Sequence, residues 1–494
     1  MTSFWNSDLR TFSSRFAATA ARGITSVVVA ATLAVVGIST LSSASFAATP
    51  QPGYPVPQIV GPTNPTAVAP GGPGFTLKVY GANFIAGSVV NWNKQARATM
   101  FVSGHELDAQ ILASDIATNT AGMITVTTTS PNGPIISSTY AQMEVHVPTA
   151  TFVPVSNPQT FQFMLPPFLL ADWNNDGNLD YAGVSNDLFK AQEIAPYFGS
   201  PSGVLTRGKN ATLNYYNCAY SWATGDFNGD GMLDLIYYSG NASRGSLSPL
   251  QVNLGKGDGT FTRFARFATQ QGLLGNILVV GDFNQDGILD FVQSEPRGLR
   301  VFLGNGDGSF SRGSFVAGGG NANALFAADL NGDGRLDLVE NSVGTPSNLL
   351  RVLLGNGDGT FQKAVVVGST APASRYPYLV VTDLNNDGIP DLVYNDNNFI
   401  TLQLGNGDGT FQPAVMLSSM AGGVLAGDFN SDGNIDLISF YGTTPFFLAG
   451  NGDGTFQSAQ NVAIASGAFP VAGDINGDGL LDIISDDGIV YLQQ

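Results

Sequence analysis

Seven short segments of the chain combine acidic, amide and glycine residues in one spacing, D-x-N-x-D-G-x-x-D. They begin at Asp172, Asp226, Asp282, Asp329, Asp383, Asp428 and Asp474. Each segment places three carboxylates within nine residues, and charges so close repel one another unless a cation lies between them. Calcium takes about six to eight oxygen ligands, and the glycine at position six allows the sharp turn that wraps them around one ion. The spacing therefore predicts seven calcium-binding loops.

The predicted ligands are the side chains at positions one, three, five and nine, and the backbone carbonyl at position seven. Position seven shares no side-chain chemistry among the seven copies, which a backbone ligand explains. The alternative is that Asp, Asn and Gly only form tight turns without a metal. The predicted metal-binding residues are Asp172, Asn174, Asp176, Asn178, Asp180, Asp226, Asn228, Asp230, Met232, Asp234, Asp282, Asn284, Asp286, Ile288, Asp290, Asp329, Asn331, Asp333, Arg335, Asp337, Asp383, Asn385, Asp387, Ile389, Asp391, Asp428, Asn430, Asp432, Asn434, Asp436, Asp474, Asn476, Asp478, Leu480 and Asp482.

The seven loops account for most of the acidity of the chain. They hold 21 of the 38 acidic residues, and the formal net charge is -18. Removing the N-terminal leader described below would make it about -20, and seven Ca²⁺ would then bring it to about -6. A protein this acidic is not expected to bind nucleic acid.

The regions between the loops have the texture of β-strands. Short apolar runs flank each loop, and successive loops start 54, 56, 47, 54, 45 and 46 residues apart, a period typical of four-stranded propeller blades. A second motif, L-G-[KN]-G-D-G-[TS]-F, predicts a hairpin between the third and fourth strands, or alternatively a second metal site. It begins at Leu254, Leu303, Leu354 and Leu404, with a variant at Leu448. We expect an all-β fold with a seven-bladed β-propeller over residues 155–494.

The last blade lacks a fourth strand at the C-terminus, because the chain ends at Gln494 before another copy of the second motif. The segment Gln159–Met164 resembles the start of fourth strands elsewhere, so we expect it to pair with blade seven and close the ring.

These repeats resemble the FG-GAP/VCBS family, known from integrin α-subunit propellers and many bacterial surface proteins. The resemblance covers roughly residues 155–494 and implies a calcium-stabilised propeller used in adhesion or ligand binding. The family also includes lectin-like and polysaccharide-lyase members, so the fold does not decide the function.

The N-terminal third has a different character. Residues 1–47 read as a signal peptide, with cleavage after Ala47, and an uncleaved membrane anchor is the alternative. A Pro-rich linker, residues 48–57, leads to residues 58–148, which alternate apolar and polar positions as an immunoglobulin-like sandwich does. The runs FTLKVYGANF and GSVVNWN resemble IPT/TIG domains, which implies a spacer or accessory binding module. His105 and His146 are expected to be ordinary residues of this sandwich.

Groups available for catalysis are few once the repeats are subtracted. Of the Asp residues, 21 lie in the nine-residue loops and five in the second motif, which leaves seven Asp and five Glu outside both. We therefore expect a binding protein and not an enzyme, with a calcium-dependent polysaccharide lyase as the alternative. The protein is expected to be secreted, at the cell surface or periplasmic, and not inserted in a membrane after cleavage.

A ligand is expected on the face opposite the nine-residue loops, where the connections vary most in length. The expected partner is an extracellular glycan or protein, because aromatic side chains beside Arg or Asn suit stacking. The alternative is that these aromatics pack beneath long loops. The candidate ligand-binding residues are Tyr215, Tyr216, Trp222, Arg375, Tyr376 and Tyr378.

Overall fold

The architecture comes from a computed structural model with strands and no helix among the residues it describes. The described residues are 54–60, 63–65, 67–68, 70–118, 120–131, 133–137, 139–145, 152–155, 164–185, 193–209, 211–212, 222–238, 249–268, 277–295, 297–317, 322–342, 348–370, 379–396, 399–418, 423–440, 445–464, 470–485 and 489–493. Within these ranges no helix has the length and hydropathy to cross a membrane. The predicted signal peptide lies outside them, as does His146.

Residues 54–145, called here the N-terminal unit, form two sheets around a shared apolar core that includes Leu77, Trp92 and Ile124. Its strands are β1 (Gln58–Ile59), β2 (Ala67–Val68), β3 (Phe75–Ala82), β4 (Val89–Trp92), β5 (Gln95–Ala96), β6 (Thr99–Phe101), β7 (Glu106–Ile111), β8 (Thr120–Ser130), β9 (Gly133–Ile136) and β10 (Ala141–Val145). One sheet has the order β1-β3-β7-β6, and the other has the order β2-β10-β8-β4-β5 with β9 also paired to β8.

Residues 152–493, called here the repeat region, contain the remaining strands. They are β11 (Phe152–Val155), β12 (Met164–Ala171), β13 (Asp180–Ser185), β14 (Glu193–Phe198), β15 (Thr206–Arg207), β16 (Ala211–Thr212), β17 (Trp222–Gly225), β18 (Asp234–Tyr238), β19 (Pro249–Gly255), β20 (Phe261–Ala268), β21 (Leu278–Gly281), β22 (Asp290–Glu295), β23 (Gly298–Gly304), β24 (Phe310–Ala317), β25 (Ala322–Ala328), β26 (Asp337–Ser342), β27 (Asn348–Leu353), β28 (Val365–Thr370), β29 (Leu379–Thr382), β30 (Asp391–Asp396), β31 (Phe399–Gln403), β32 (Val415–Ser418), β33 (Gly423–Gly427), β34 (Asp436–Phe440), β35 (Phe446–Leu448), β36 (Gln460–Asn461), β37 (Val471–Gly473), β38 (Asp482–Ile484) and β39 (Val490–Gln493).

The described strands of the repeat region make seven antiparallel sheets, each built around one nine-residue loop. Five of them contain four strands in chain order, β17-β18-β19-β20 through β33-β34-β35-β36. The first sheet is β12-β13-β14-β15, with β16 also paired to β14. In every sheet the nine-residue loop joins the first strand to the second, and the apolar residues at loop positions two are buried beneath it.

The residue before each loop is small because the next sheet packs against it. A Cβ added to Gly281 would lie 2.5 Å from Leu336 Cδ1, and one added to Gly427 would lie 2.5 Å from Leu481 Cδ1. Likewise, a Cβ added to Gly473 in the last sheet would lie 2.8 Å from Leu179 Cδ1 in the first sheet. The sheets thus follow one another round a ring in which β37 lies beside β12, an arrangement consistent with a propeller.

The ring is closed by a segment other than the predicted one. The last sheet has the order β11-β39-β38-β37, so Phe152–Val155 supplies the missing strand. The prediction that Gln159–Met164 supplies this strand was wrong, because Met164 already begins β12 and pairs with Ser185 of the first sheet. The rest of Gln159–Met164 lies outside the described residues. The pairing also extends the repeat region to Phe152, before the predicted boundary at residue 155.

Candidate metal-binding loops

The nine-residue loops, numbered one to seven in chain order, share a backbone with two left-handed residues. Position six is always Gly, as at Gly334 with φ of 80°. Position four is also left-handed in every loop, and in four loops it is not Gly: Asn175, Gln285, Asn386 and Ser431 have φ of 59°, 58°, 59° and 56°. Of these two positions, only position six was expected from the sequence to be a turn residue. The restriction of position four to Gly, Asn, Gln and Ser is the signal that could have identified the second turn residue.

Hydrogen bonds inside each loop hold the acidic and amide oxygens that were predicted as ligands. In loop four the two carboxylate oxygens of Asp329 accept the amides of Gly334, at 2.7 Å, and Asp333, at 3.2 Å. The Asp333 amide also donates to Asn331 Oδ1 at 3.0 Å. The same bonds to positions one and three recur in the other loops, for example at Asp282 and Asp474. The loops are therefore one structure repeated seven times.

Position nine has a second role that sequence analysis missed. Asp337 is fully buried, and its Oδ2 accepts the amide of Leu330 at 3.0 Å while its Oδ1 accepts the amide of Gly355 at 2.7 Å. Gly355 belongs to the second motif, so this carboxylate ties the loop to the third strand of its own sheet. The equivalent donors to Oδ1 in the other sheets are Gly199, Gly255, Gly304, Gly405, Gly450 and the amide of Gln493.

Burial opposes the negative charge of these carboxyl groups. It raises the pKa of Asp337 to about 7, of Asp290 to about 8 and of Asp436 to about 9, with neighbouring loop carboxylates adding to the shift. At position one, burial raises the pKa of Asp329 to about 6. A cation bound to these oxygens would offset both the lost hydration and the mutual repulsion.

The donor set fits a hard cation in its chemistry. Every loop offers carboxylate, amide and backbone oxygens and no thiolate or imidazole, as calcium prefers. In loop six, Asp436 Oδ2 is buried and accepts no hydrogen bond, so one carboxylate oxygen there has capacity for a metal. Within the described residues no group of three or more His, Cys, Asp or Glu side chains is already drawn together as a metal cluster.

The second motif lies on the same face as the loops. In each Gly-Asp-Gly turn, the backbone amide of the second Gly donates to the position-two carbonyl of the loop in the preceding sheet. Examples are Gly308 N to Phe227 O and Gly359 N to Phe283 O, both 2.9 Å. The turn Asp is exposed, and its Oδ1 accepts the amide and hydroxyl of the Thr or Ser two residues later, as at Asp358 and Thr360. This hydroxyl lowers the pKa of the Asp358 carboxyl. The turn Asp thus closes a hairpin, and no observation favours a metal there.

The N-terminal unit also touches the loop face. His105 was expected to be an ordinary residue of that unit, but its ring lies beside loop four, where a Cβ added to Gly332 would be 3.3 Å from His105 Cε1. Ser103 Oγ is 2.7 Å from His105 Nδ1.

Of the predicted ligand-binding residues, only Trp222 lies within the described ranges. Its side chain is 2% exposed and packs edge-on against Trp173, with ring centroids 5.8 Å apart. A residue buried in this way presents no surface to a ligand, so Trp222 is corrected to a core residue, as the packing alternative expected. Tyr215, Tyr216, Arg375, Tyr376 and Tyr378 lie outside the described residues.

A family model described as FG-GAP-like repeat matches residues 226–293, 282–340, 342–394, 383–439 and 428–485. None of the curated proteins matches the chain. Among solved structures, the chain is similar to an Agrocybe aegerita lectin that recognises non-reducing terminal N-acetylglucosamine, with 18% identity, a TM-score of 0.47, and coverage of 75% of this chain and 92% of the other. It is also similar to an auxiliary nutrient binding protein from Bacteroides ovatus, with 10% identity, a TM-score of 0.41, and coverage of 90% and 99%. A Lactobacillus plantarum protein has 12% identity, a TM-score of 0.43, and coverage of 78% and 98%.

Proposed function

The chain belongs to the FG-GAP-like repeat family, and from that premise we propose that it is an exported, seven-bladed β-propeller that binds an extracellular glycan or protein. Calcium in the seven loops is structural in this proposal. The N-terminal unit is an immunoglobulin-like domain of the IPT/TIG kind.

The observation that carries the proposal is the recurrent hydrogen bonding of the loop carboxylates to backbone amides. In loop four, Asp329 accepts three backbone amides and Asp337 accepts two, so these carboxylates serve to hold the backbone. A group fixed in this way in every sheet is a scaffold element and not a catalytic acid or base.

Calcium would be held by the oxygens at positions one, three, five, seven and nine of each loop. When bound, it supplies positive charge to carboxyl groups that burial would otherwise leave protonated or repelling. Binding to the folded chain alone stabilises it, by about 1.4 kcal/mol per site at a calcium concentration ten times Kd. Affinities of about 10⁻⁴ to 10⁻³ M are expected, as in other extracellular modules.

Recognition is assigned to the face opposite the loops. The loop face carries the N-terminal unit and the tightly bonded turns, whereas the hairpins after β13, β18 and β26 leave from the other end of the sheets. Those connections differ in length from sheet to sheet, and varied loops on a rigid scaffold are where binding residues usually lie.

The test is a binding screen of the secreted chain on a glycan array and on immobilised collagen and fibronectin, with calcium and again with chelator. Tyr216→Ala and Tyr376→Ala should reduce binding while the calcium-dependent melting temperature stays the same. Lys256→Ala, at an exposed residue of a loop-face turn, is the matched control and should bind as the unaltered chain does. Binding lost in the Lys256 variant alone would place recognition on the loop face, and cleavage of uronate polymers would show a lyase.

A further inference from the structure

The N-terminal unit is hydrogen-bonded to loop three through the end of its linker. The Val56 amide donates to Asp282 Oδ2 at 2.9 Å, and the same oxygen accepts the loop amide of Gly287 at 2.9 Å. Asn83 Nδ2 bridges the two regions, 3.2 Å from both Val56 O and Asp282 O. Asp282 is 1% exposed, so this contact removes a loop carboxylate from water.

Loop four also contacts the N-terminal unit. The backbone amide of Asn83 donates to Gly334 O at 2.8 Å. Gln285 Nε2 donates both to Asn83 Oδ1, at 3.0 Å, and to Gly334 O, at 3.2 Å. The backbones of Gly104 and Gly334 are in contact, since a Cβ on Gly104 would lie 3.0 Å from Gly334 Cα. Gln285 and Gly334 are loop residues with positive φ, so their positions depend on the closed loop backbone.

Further contacts extend this interface over neighbouring loops. Asn64 Nδ2 donates to Asn386 O of loop five at 3.3 Å, and Tyr80 lies against Gly388 of the same loop. Val56 belongs to an apolar cluster with Phe227, the position-two residue of loop two. The unit therefore rests on the loops themselves, and mostly on their backbone atoms.

We propose that cation binding in loops three and four and docking of the N-terminal unit are coupled, so that the unit is held only while these loops are closed around an ion. The coupling rests on the proposed structural role of calcium. Asp282 O, Gly334 O and the Gln285 side chain meet their partners only in the closed turn, and without an ion the three carboxylates of each loop repel one another. Coupling between two binding events is reciprocal, so docking also raises the calcium affinity of the two loops.

The test measures hydrogen exchange at the amides of Val56 and Asn83 in the full mature chain, with saturating calcium and with chelator. These amides donate across the interface, so their protection reports docking directly. Chelation should reduce their protection by about tenfold or more. Asp333→Ala in loop four should lower it even with calcium present, whereas Asp432→Ala, the same position in loop six, should not.

A second variant acts from the other side of the interface and leaves every loop residue intact. Gly104→Val places a side chain against Gly334, which should separate the unit and weaken calcium binding at two of the sites by about fivefold or more in a calorimetric titration. Unchanged exchange at Val56 and Asn83 on chelation, in a chain that binds calcium, would overturn the coupling alone. A chain that binds no calcium at all would overturn the proposed role of calcium as well.

Discussion

Two kinds of aspartate turn lie side by side on one face of the ring, and their carboxyl groups are in opposite electrostatic situations. In the nine-residue loops, burial raises the pKa of carboxyl groups such as that of Asp337, to about 7. In the turns of the second motif, the exposed Asp358 accepts a hydroxyl and an amide from Thr360, and its pKa is lowered. Both turns are rich in Asp and Gly.

The difference shows that residue type alone does not identify a cation site. A turn carboxylate beside a hydroxyl donor and water is already stable as an anion, whereas three carboxylates in a largely buried loop are not. The comparison predicts that substitutions in the loops affect stability and calcium dependence, and that substitutions in the turns affect neither to a comparable extent.

The largest effect is expected for a position-nine carboxylate. Asp337→Ala leaves the buried amides of Leu330 and Gly355 without acceptors, which should lower the free energy of unfolding by about 2–6 kcal/mol for the two together. Urea denaturation measures it. The matched control is Asp358→Ala in the adjacent turn, where water can replace the lost acceptor, and a similar loss there would remove the distinction between the two turns.

A smaller effect separates two ligands of one loop. Asp333→Ala should reduce the calcium-dependent rise in melting temperature more than Asn331→Ala, because it deletes a charged ligand and the acceptor of the Arg335 amide. Differential scanning fluorimetry of both variants, with calcium and with chelator, gives the two increments. Equal increments would indicate that the loop carboxylates do not hold the ion.

The smallest effect concerns the turn hydroxyl. Thr360→Val removes the side-chain hydrogen bond that is the main cause of the lowered pKa of Asp358, so this pKa should rise toward 3.8. A lowered folded pKa stabilises the protein above the unfolded pKa and loses that contribution as pH falls through the folded value. The stability lost in Thr360→Val is therefore a small loss at pH above about 4, and it disappears as pH falls through the folded pKa. An NMR titration of the Asp358 carboxyl carbon measures this pKa, and an unchanged value would refute the assignment.

The repeat architecture was readable from the sequence because every sheet carries the nine-residue loop and five of the seven also carry the second motif. The loop joins the first and second strands, and the small residue before it, such as Gly281, packs against the next sheet. A local motif that recurs seven times predicts the strands that flank each copy.

What the sequence could not reveal were contacts between distant segments. The closing strand Phe152–Val155 has no motif, and its choice depends on pairing with β39 at the far end of the chain. The burial of Trp222 depends on Trp173 of the neighbouring sheet. The second partner of Asp337, Gly355, lies 18 residues away across a strand pair, so a nine-residue pattern does not contain it.

The central claim is that the seven loops, and not the turns beside them, bind calcium. Native mass spectrometry of the mature chain, equilibrated with about 10 mM calcium to exceed the expected Kd and then compared with a chelated sample, counts the bound ions directly. The account predicts seven ions per chain, one for each loop, falling to six in the Asp333→Ala variant. No bound calcium, or a count that exceeds seven and falls in the Asp358→Ala variant, would contradict it.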